Sequence, residues 1–227
     1  MSDIAERRLE EKERRRSEIL DAAEAVASGT SFEEMTMDEV ARRARLSRAL
    51  LYVYFQDKGE LLFGLCDRAL QRLHQEFVEA SSRQSLGLAQ IEACGRAYLA
   101  FSQQFPVYFD ALARFQAHSP EIGKLGANES YCVLMGDKVH GVMVESIARG
   151  IADGSIRADI GPPALVAMTL WGFMHGVIQI SSTKANVLAR NGISVPQLMD
   201  HALQQAARGL ASLGLQPDGN SIHAPEK

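Results

Sequence analysis

Apolar residues recur along most of the chain at intervals of three and four positions, and sustained alternation of apolar and polar residues is missing from the sequence. Apolar residues at these intervals form one face of a helix with about 3.6 residues per turn. The first run of this kind, residues 5–28, predicts a helix that ends near Gly29. We therefore expect an all-α protein.

Three residues that commonly begin helices, Thr36, Ser47 and Asp57, occur close together in the first third of the chain. A glutamate follows the first and the third of them by three positions, which is the spacing of a capping box. These signals predict three helices with very short connections. The first two, at about residues 37–55, match a helix-turn-helix, and the third is expected to run from about 58 to 81.

Proline, glycine and serine clusters divide the rest of the chain into further helices. We predict them at about residues 87–104, 107–118, 127–153, 162–183 and 195–213. The polar stretch SSRQS precedes the first of these helices, so we assign residues 1–81 to one domain and residues 82–215 to another. The composition of residues 216–227 predicts a flexible tail.

The 227-residue chain has a formal net charge of −4, which by itself argues against binding to nucleic acid. The distribution of charge changes this picture, because no acidic residue lies within residues 40–56. The same segment carries Arg42, Arg43, Arg45 and Arg48. Nucleic-acid binding requires a local basic patch rather than a basic protein, so the segment is a candidate interface.

On a helical wheel, the segment 48–55 has two different sides. Leu51 and Phe55 lie on one side, where they can pack against the preceding helices. The other side combines a long cation, a small residue, an aromatic hydroxyl and a branched aliphatic group, namely Arg48, Ala49, Tyr52 and Val53. This mixture suits the DNA major groove, where arginine reads guanine and small apolar groups meet the thymine methyl. An ordinary surface helix is the alternative.

The stretch MTMDEVARRARLSRALLYVYFQDKGELL resembles the DNA-binding domain of the tetracycline-repressor (TetR) family. The matching residues are Thr36, Val40, Ala41, Ala44, Leu46, Ser47, Leu51, Tyr52, Tyr54, Phe55, Lys58 and Leu61. The resemblance implies base contacts from the exposed side of the second short helix. It implies DNA-backbone contacts from Thr36, Ser47, Tyr52, Tyr54 and Lys58.

Two positions depart from the family pattern. Arg45 stands where the family usually has glycine in the turn, which predicts a left-handed conformation at a cost of roughly 1–2 kcal/mol. A contact between Arg45 and a phosphate is expected to offset this cost. Leu50 replaces the usual small residue or threonine, so no base contact is assigned to it.

The resemblance also implies a helical C-terminal domain that binds a ligand and forms a homodimer. The second part of the chain contains aromatic, methionine and histidine residues that could line a pocket for the ligand. These candidates are Phe101, Phe105, Phe109, Met135, His140, Trp171 and His175. At helical spacing the same residues also fit an ordinary core, with each histidine hydrogen-bonded inside it, so both interpretations stay open.

Residues 163–182 contain no formally charged side chain and are about long enough to cross a bilayer. The segment is the only one of its kind, and it contains polar side chains and two glycines. We therefore expect no membrane, but a helix buried between its own core and a partner subunit. The expected interface consists of Gly172, Gly176, Leu198, Ala202, Ala206, Gly209 and Leu213.

Motifs of common enzymes are missing from the sequence. A di-iron site needs two Glu-x-x-His motifs, and neither these nor a phosphate-binding loop, a Gly-x-Ser-x-Gly elbow or a His-Glu-x-x-His zinc motif occurs. The three cysteines, Cys66, Cys94 and Cys132, fit no metal spacing. We expect no catalysis, metal or cofactor. The charged N-terminus without a secretory signal favours the cytoplasm.

These features together predict a transcriptional repressor that binds a near-palindromic DNA operator as a homodimer. A small effector is expected to release it. No cluster of acidic or basic residues is evident in the second part of the chain, so the effector should be apolar or amphiphilic. The alternative is a DNA-binding activator or architectural protein that has no small-molecule inducer.

Overall fold

A computed structural model of the protein describes residues 2–117 and 126–212. Helices make up most of these two ranges. They are α1 (Ser2–Gly29), α2 (Met37–Arg43), α3 (Arg48–Tyr54), α4 (Lys58–Ser82), α5 (Gly87–Gln104), α6 (Pro106–Ala117), α7 (Ala127–Asp153), α8 (Pro163–Thr183), α9 (Ala185–Arg190) and α10 (Val195–Leu210). An isolated antiparallel bridge joins Ile156 to Ala211. The predicted all-α class is confirmed.

The predicted helices agree with those observed to within about three residues at each end that the structure describes. Helix α9 was not predicted, because it has six residues and follows α8 almost directly. A turn at Gly192, whose φ is 70°, comes shortly after it. The expected interface residue Leu213 and the expected tail 216–227 lie outside the described residues.

The chain divides into two compact units. The first consists of Met1–Leu73 and Phe101–Asp137, and the second of His74–Ala100 and Lys138–Lys227. Helices α4, α5 and α7 therefore contribute residues to both units. The assignment of the DNA-binding domain to residues 1–81 and of the second domain to residues 82–215 stays a prediction.

The core of the first unit brings together the apolar faces of its N-terminal helices. Ile19 of α1, Val40 of α2, Leu51 of α3 and Leu65 of α4 are all fully buried. Phe55, which directly follows α3, is fully buried as well. The predicted burial of Leu51 and Phe55 is thus confirmed, and it fixes which side of α3 remains outside.

Polar contacts add to this packing in the first unit. The Arg68 guanidinium of α4 donates to the Asp21 carboxylate at 2.7 Å and to the Ser17 hydroxyl at 2.6 Å, both on α1. The Tyr108 hydroxyl of α6 donates to the Glu24 carboxylate at 2.8 Å. Burial and this carboxylate raise the pKa of Tyr108 to about 12, so the phenol keeps its proton. Helix α1 is therefore tied to α4 and to α6.

The core of the second unit contains a close approach between α5 and α7. A Cβ atom on Gly87 would lie only 2.1 Å from the backbone nitrogen of Gly150. The Gly87 N–H donates to an Asp153 carboxylate oxygen at 2.8 Å, and the Leu88 N–H donates to the Ser155 hydroxyl at 3.1 Å. The start of α5 is thus docked on the end of α7, in a position that only glycine allows.

All three cysteine thiols of the chain are free and buried. The Cys66 thiol donates to the carbonyl of Ala111, with 3.2 Å between sulfur and oxygen. Burial raises the pKa of Cys94 and of Cys132 to about 12 and raises that of Cys66 as well. These thiols behave as small apolar core groups rather than as nucleophiles.

Candidate nucleic-acid interface

The helix starts on either side of the turn are capped as the sequence predicts. The Thr36 hydroxyl oxygen accepts the Glu39 N–H at 3.2 Å, and the Glu39 carboxylate accepts the Thr36 N–H at 2.9 Å. The Ser47 hydroxyl oxygen accepts the Leu50 N–H at 3.2 Å at the start of α3. The hydrogen bonds from Thr36 lower the pKa of Glu39, because they favour the charged carboxylate. These caps fix where α2 and α3 begin.

The turn between α2 and α3 is a Schellman motif. The Arg45 N–H donates to the Arg42 carbonyl at 3.1 Å, and the Leu46 N–H donates to the Ala41 carbonyl at 2.9 Å. Arg45 occupies the position that is usually glycine, and its φ is 56°. The predicted left-handed conformation at Arg45 is therefore confirmed, and its side chain is exposed.

The outer side of α3 is exposed although it is partly apolar. Val53 is 74% exposed and Tyr52 37% exposed, and Arg48 and Ala49 are exposed as well. Tyr54 at the end of the helix is half-buried. The structure thus brings the predicted base-reading residues together on one solvent-facing surface, which lies opposite the buried Leu51.

The Arg48 guanidinium lies between two side chains. Its Nε is 3.1 Å from one carboxylate oxygen of Asp38, and its Nη1 donates to the other at 3.3 Å. The guanidinium carbon is also 5.6 Å from the centre of the Tyr52 ring, a cation–π distance. Asp38 belongs to the second position of α2. The sequence reasoning missed it, because only the fold brings it next to Arg48.

Lys58, expected to hold a phosphate, has contacts within the protein. Its ammonium donates to the Glu33 carbonyl at 2.7 Å and lies 5.1 Å from the centre of the Phe32 ring. The Arg114 guanidinium of α6 lies 5.8 Å from the same ring and donates to the Glu33 carboxylate at 2.8 Å. Arg114 first and Lys58 after it lower the pKa of Glu33. A phosphate contact from Lys58 stays a prediction.

Four of the candidate ligand residues lie in the first unit. Phe101, Phe109 and Met135 are buried, and the Phe105 ring is partly exposed. The centres of the Phe101 and Phe105 rings are 5.6 Å apart. The Arg72 guanidinium carbon lies 5.0 Å from the centre of the Phe105 ring. Of these candidates, Phe101 and Phe105 are thus shown in direct ring contact.

The other three candidates lie in the second unit. His175 of α8 is hydrogen-bonded through Nδ1 to the Tyr98 hydroxyl of α5, at 2.8 Å. The Trp171 ring centre is 6.4 Å from that of His175. Burial lowers the pKa of His175, so the imidazole is neutral at pH 7. His140 lies elsewhere, with Nε2 3.4 Å from the Ala164 carbonyl. Sequence reasoning did not assign Tyr98, because its partner is 77 positions away.

Helix α8 packs against α10 in the second unit and exposes a second apolar surface, which includes Leu165 at 62% and Phe173 at 42% exposure. A groove of about 420 Å³ runs between the two helices. Gly172 and Gly209 are exposed, whereas Gly176, Leu198 and Ala206 are partly exposed. Ala202 is only 3% exposed and faces the interior of the unit. Helix α8 is long and apolar enough to cross a membrane by length and composition alone, and 33% of its most apolar window is buried within the protein.

Comparison with known proteins agrees with this geometry. Residues 19–65 match the family model described as bacterial regulatory proteins, tetR family. The HTH-type transcriptional regulator HbdR from Aromatoleum sp. (strain CIB) is 36% identical over 64 residues. This match spans 28% of this chain and 28% of the relative. The family match includes the helix-turn-helix.

Solved structures share the fold over most of the chain. A protein with unknown function from Rhodococcus sp. RHA1 has a TM-score of 0.70 at 22% identity, covering 87% of this chain and 96% of its own. AibR, solved in complex with isovaleryl coenzyme A and operator DNA, has a TM-score of 0.61 at 16% identity, covering 84% and 97%. At these identities the likeness concerns the fold.

A capped helix-turn-helix followed by an all-helical region defines the class of helix-turn-helix transcriptional regulators. The resemblance to the TetR family is confirmed, and the chain carries the DNA-binding domain of that family. The family matched by residues 19–65 is one of bacterial regulatory proteins.

Proposed function

We propose that the protein is a cytoplasmic transcriptional repressor that binds a near-palindromic operator as a homodimer and leaves it when a small apolar or amphiphilic effector binds. The observation that carries this proposal is the exposed outer side of α3. This side presents a branched aliphatic residue, Val53, at 74% exposure together with Arg48 and Tyr52. Thymine methyl groups and guanine acceptors in the major groove match this combination.

The residues of the interface divide into two groups by the kind of contact proposed. Arg48, Ala49 and Val53 would meet base edges, which carry sequence information. Tyr52, Tyr54 and the other polar residues would meet the DNA backbone, and such contacts fix the register without reading sequence. These polar residues are Thr36, Arg45, Ser47 and Lys58.

Two variants test this division. Tyr52→Phe combined with Lys58→Ala should weaken binding to all duplexes and flatten the salt dependence, because the loss of the Lys58 cation from a phosphate removes about 0.9 from the slope of log K against log salt. Arg48→Ala should instead relax discrimination at one operator position by about 1–3 kcal/mol. Arg96→Ala, which removes an exposed arginine of α5, is the matched control and should change neither property.

Fluorescence anisotropy with labelled duplexes at several salt concentrations measures both effects. The duplexes come from selection of bound sequences from a random pool with the full-length protein. If the double variant and Arg48→Ala both keep the affinity and the specificity of the unchanged protein, α3 is not the reading helix and the proposed function is wrong.

The proposal of a homodimer rests on the second exposed surface. Large apolar side chains on α8 and the groove beside α10 would be covered by the same surface of a second copy, as a two-fold interface requires. A dimer places two copies of α3 one DNA turn apart, about 34–36 Å, so that both enter the major groove on one face of the duplex. A bilayer is the less favourable occupant, because α8 packs on α10 within its own unit.

The nature of the effector is proposed from the surroundings of His175. The neutral imidazole can orient a polar group of a ligand, while the neighbouring Trp171 and Tyr98 rings accept apolar surface. The structural neighbour AibR was solved with isovaleryl coenzyme A, a molecule with an apolar end and a polar end. We take this as support for an amphiphilic effector here.

Trp171 is the only tryptophan of the chain, so its fluorescence reports binding at this cluster. Isovaleryl coenzyme A is the first probe, followed by a set of aromatic carboxylic acids and short-chain acyl thioesters. A true effector must bind less tightly in the presence of operator DNA, by the same factor by which it weakens DNA binding. Equal ligand affinity with and without operator would leave the DNA-binding protein without an inducer, which is the alternative function.

A further inference from the structure

Asp38 places a negative charge on the surface that we propose binds DNA. Its side chain is 56% exposed, and it forms an ion pair with the Arg48 guanidinium, which is 65% exposed. A carboxylate near DNA is repelled by the phosphates, so its presence on this surface needs a reason. Within the described residues, no ion pair involves the other three arginines of the basic patch, Arg42, Arg43 and Arg45.

Folding stability does not supply that reason. Exposed ion pairs stabilise proteins by little, because water screens the charges and ordering two side chains costs entropy. The carboxylate belongs to the first turn of α2, where it also favours the helix dipole, but Glu39 already provides a carboxylate in the same turn. The contact therefore concerns what the arginine does rather than how the domain folds.

The contact restrains the guanidinium from two directions. Asp38 reaches two of its nitrogens from α2, and the centre of the Tyr52 ring, one turn further along α3, lies 5.6 Å from its carbon. A free arginine side chain has many rotamers, and holding it in one of them removes much of the entropy that binding would otherwise cost. The guanidinium has five N–H donors, so donors remain for a base edge.

The geometry points to Asp38 as a positioning residue that sets base specificity through Arg48, by holding the guanidinium in the orientation that reads guanine. This inference rests on the proposed DNA-reading role of α3. A guanine presents two acceptors, O6 and N7. The arginine distinguishes guanine from the other bases only if it donates to both acceptors in a fixed orientation. An arginine side chain without this restraint could contact a neighbouring phosphate instead, and such a contact carries no sequence information.

The competing explanation is that Asp38 is a simple counter-charge. In that case, its removal would free a cation for the DNA backbone and strengthen binding to every sequence by the same factor. The positioning role predicts a different outcome, in which the preference for one base falls while the remaining positions keep theirs. Base preference at single positions therefore separates the two explanations, which affinity alone does not.

The experiment uses the full-length protein and compares Asp38→Asn, Asp38→Glu, Arg48→Ala and the double variant Asp38→Asn/Arg48→Ala. Each is used to select bound sequences from the same randomised duplex pool, and anisotropy then gives affinities for duplexes that differ at single positions. Asp38→Asn keeps the shape of the side chain and removes its charge. Asp38→Glu keeps the carboxylate and should recover part of the preference.

We expect Asp38→Asn to lower the guanine preference at one position per half-site by roughly three- to tenfold, a part of what a good arginine–guanine contact provides. In the Arg48→Ala background the same substitution should change nothing at that position, because Asp38 acts through Arg48. Circular dichroism checks that α2 still folds, and the preserved preferences at other positions provide a second check.

Three results would overturn the inference. They are an unchanged base preference in Asp38→Asn, a uniform gain in affinity for all duplexes, and an effect of equal size in the Arg48→Ala background. Each of them leaves α3 as the reading helix, so the proposed function survives. If the unchanged protein enriches no sequence from the pool, both the proposed function and this inference are wrong.

Discussion

Replacing Arg45 with glycine should stabilise the protein and weaken its binding to DNA at the same time. Arg45 holds a φ of 56° in the Schellman turn, where the backbone N–H groups of residues 45 and 46 are both hydrogen-bonded to carbonyls of α2. The turn keeps these hydrogen bonds whichever residue occupies the position. The side chain is exposed, so its replacement leaves no cavity.

The size of the stability change follows from two opposing terms. A residue with a Cβ atom in the left-handed region costs roughly 1–2 kcal/mol, which glycine does not incur. Glycine in turn loses more conformational freedom on folding, which costs roughly 0.5–1 kcal/mol. The difference leaves Arg45→Gly more stable by up to roughly 1.5 kcal/mol. The loss of one cation from a phosphate contact should reduce the salt slope by about 0.9.

Urea unfolding measures the stability, and anisotropy titrations from low to high salt give the slope. Arg45→Asn is a matched control, because asparagine tolerates the left-handed conformation without a charge and should show the same loss of slope. Arg45→Lys keeps the charge and should show neither change. A less stable Arg45→Gly would refute the strain argument, and an unchanged salt slope in it would refute the phosphate contact.

Three further predictions concern other parts of the molecule. Gly176→Glu should dissociate the homodimer, as measured by sedimentation, and abolish operator binding. The control is Gly136→Glu, at another glycine with open space around it, which should stay dimeric. A dimeric Gly176→Glu would exclude this interface. The pKa of Glu39 is lower in the folded state, so the stabilisation from its carboxylate is present at neutral pH and lost on acidification. Glu39→Gln removes this titration. The unfolding free energy of this variant in urea should therefore depend less on pH between about 5 and 3 than that of the unchanged protein. Gly87→Ala should lower the unfolding free energy by roughly 1–3 kcal/mol or more, because the added Cβ would lie 2.1 Å from a backbone nitrogen. A urea-unfolding midpoint equal to that of the unchanged protein would contradict the close approach.

The parts of the fold that depend on neighbours in sequence were predictable. Thr36 and Ser47 cap helices through hydrogen bonds to residues three positions on, so spacing alone identifies them. The buried side of α3 follows in the same way from the positions of Leu51 and Phe55. The left-handed conformation at Arg45 was expected from the resemblance, because the family usually has glycine at that position.

Contacts between distant parts of the chain were not predictable. Asp38 lies ten positions before Arg48, and Tyr98 lies 77 before His175, so no helical spacing relates the members of either pair. The choice of candidate ligand residues had the same difficulty. These residues fit a pocket by their type, but four of them lie in the first unit and three in the second. Which of them contact each other depends on the packing of the helices.

The burial of all three native thiols makes the chain suitable for site-directed labelling. Thiol reagents attack the thiolate, and the native cysteines neither form it at neutral pH nor face solvent. A single cysteine introduced at an exposed position beside α3, such as Gln56, would therefore carry the reactive thiol of the folded subunit. In a homodimer, the distance between two spin labels at that position would report the separation of the two copies of α3, with every native residue of the core left in place.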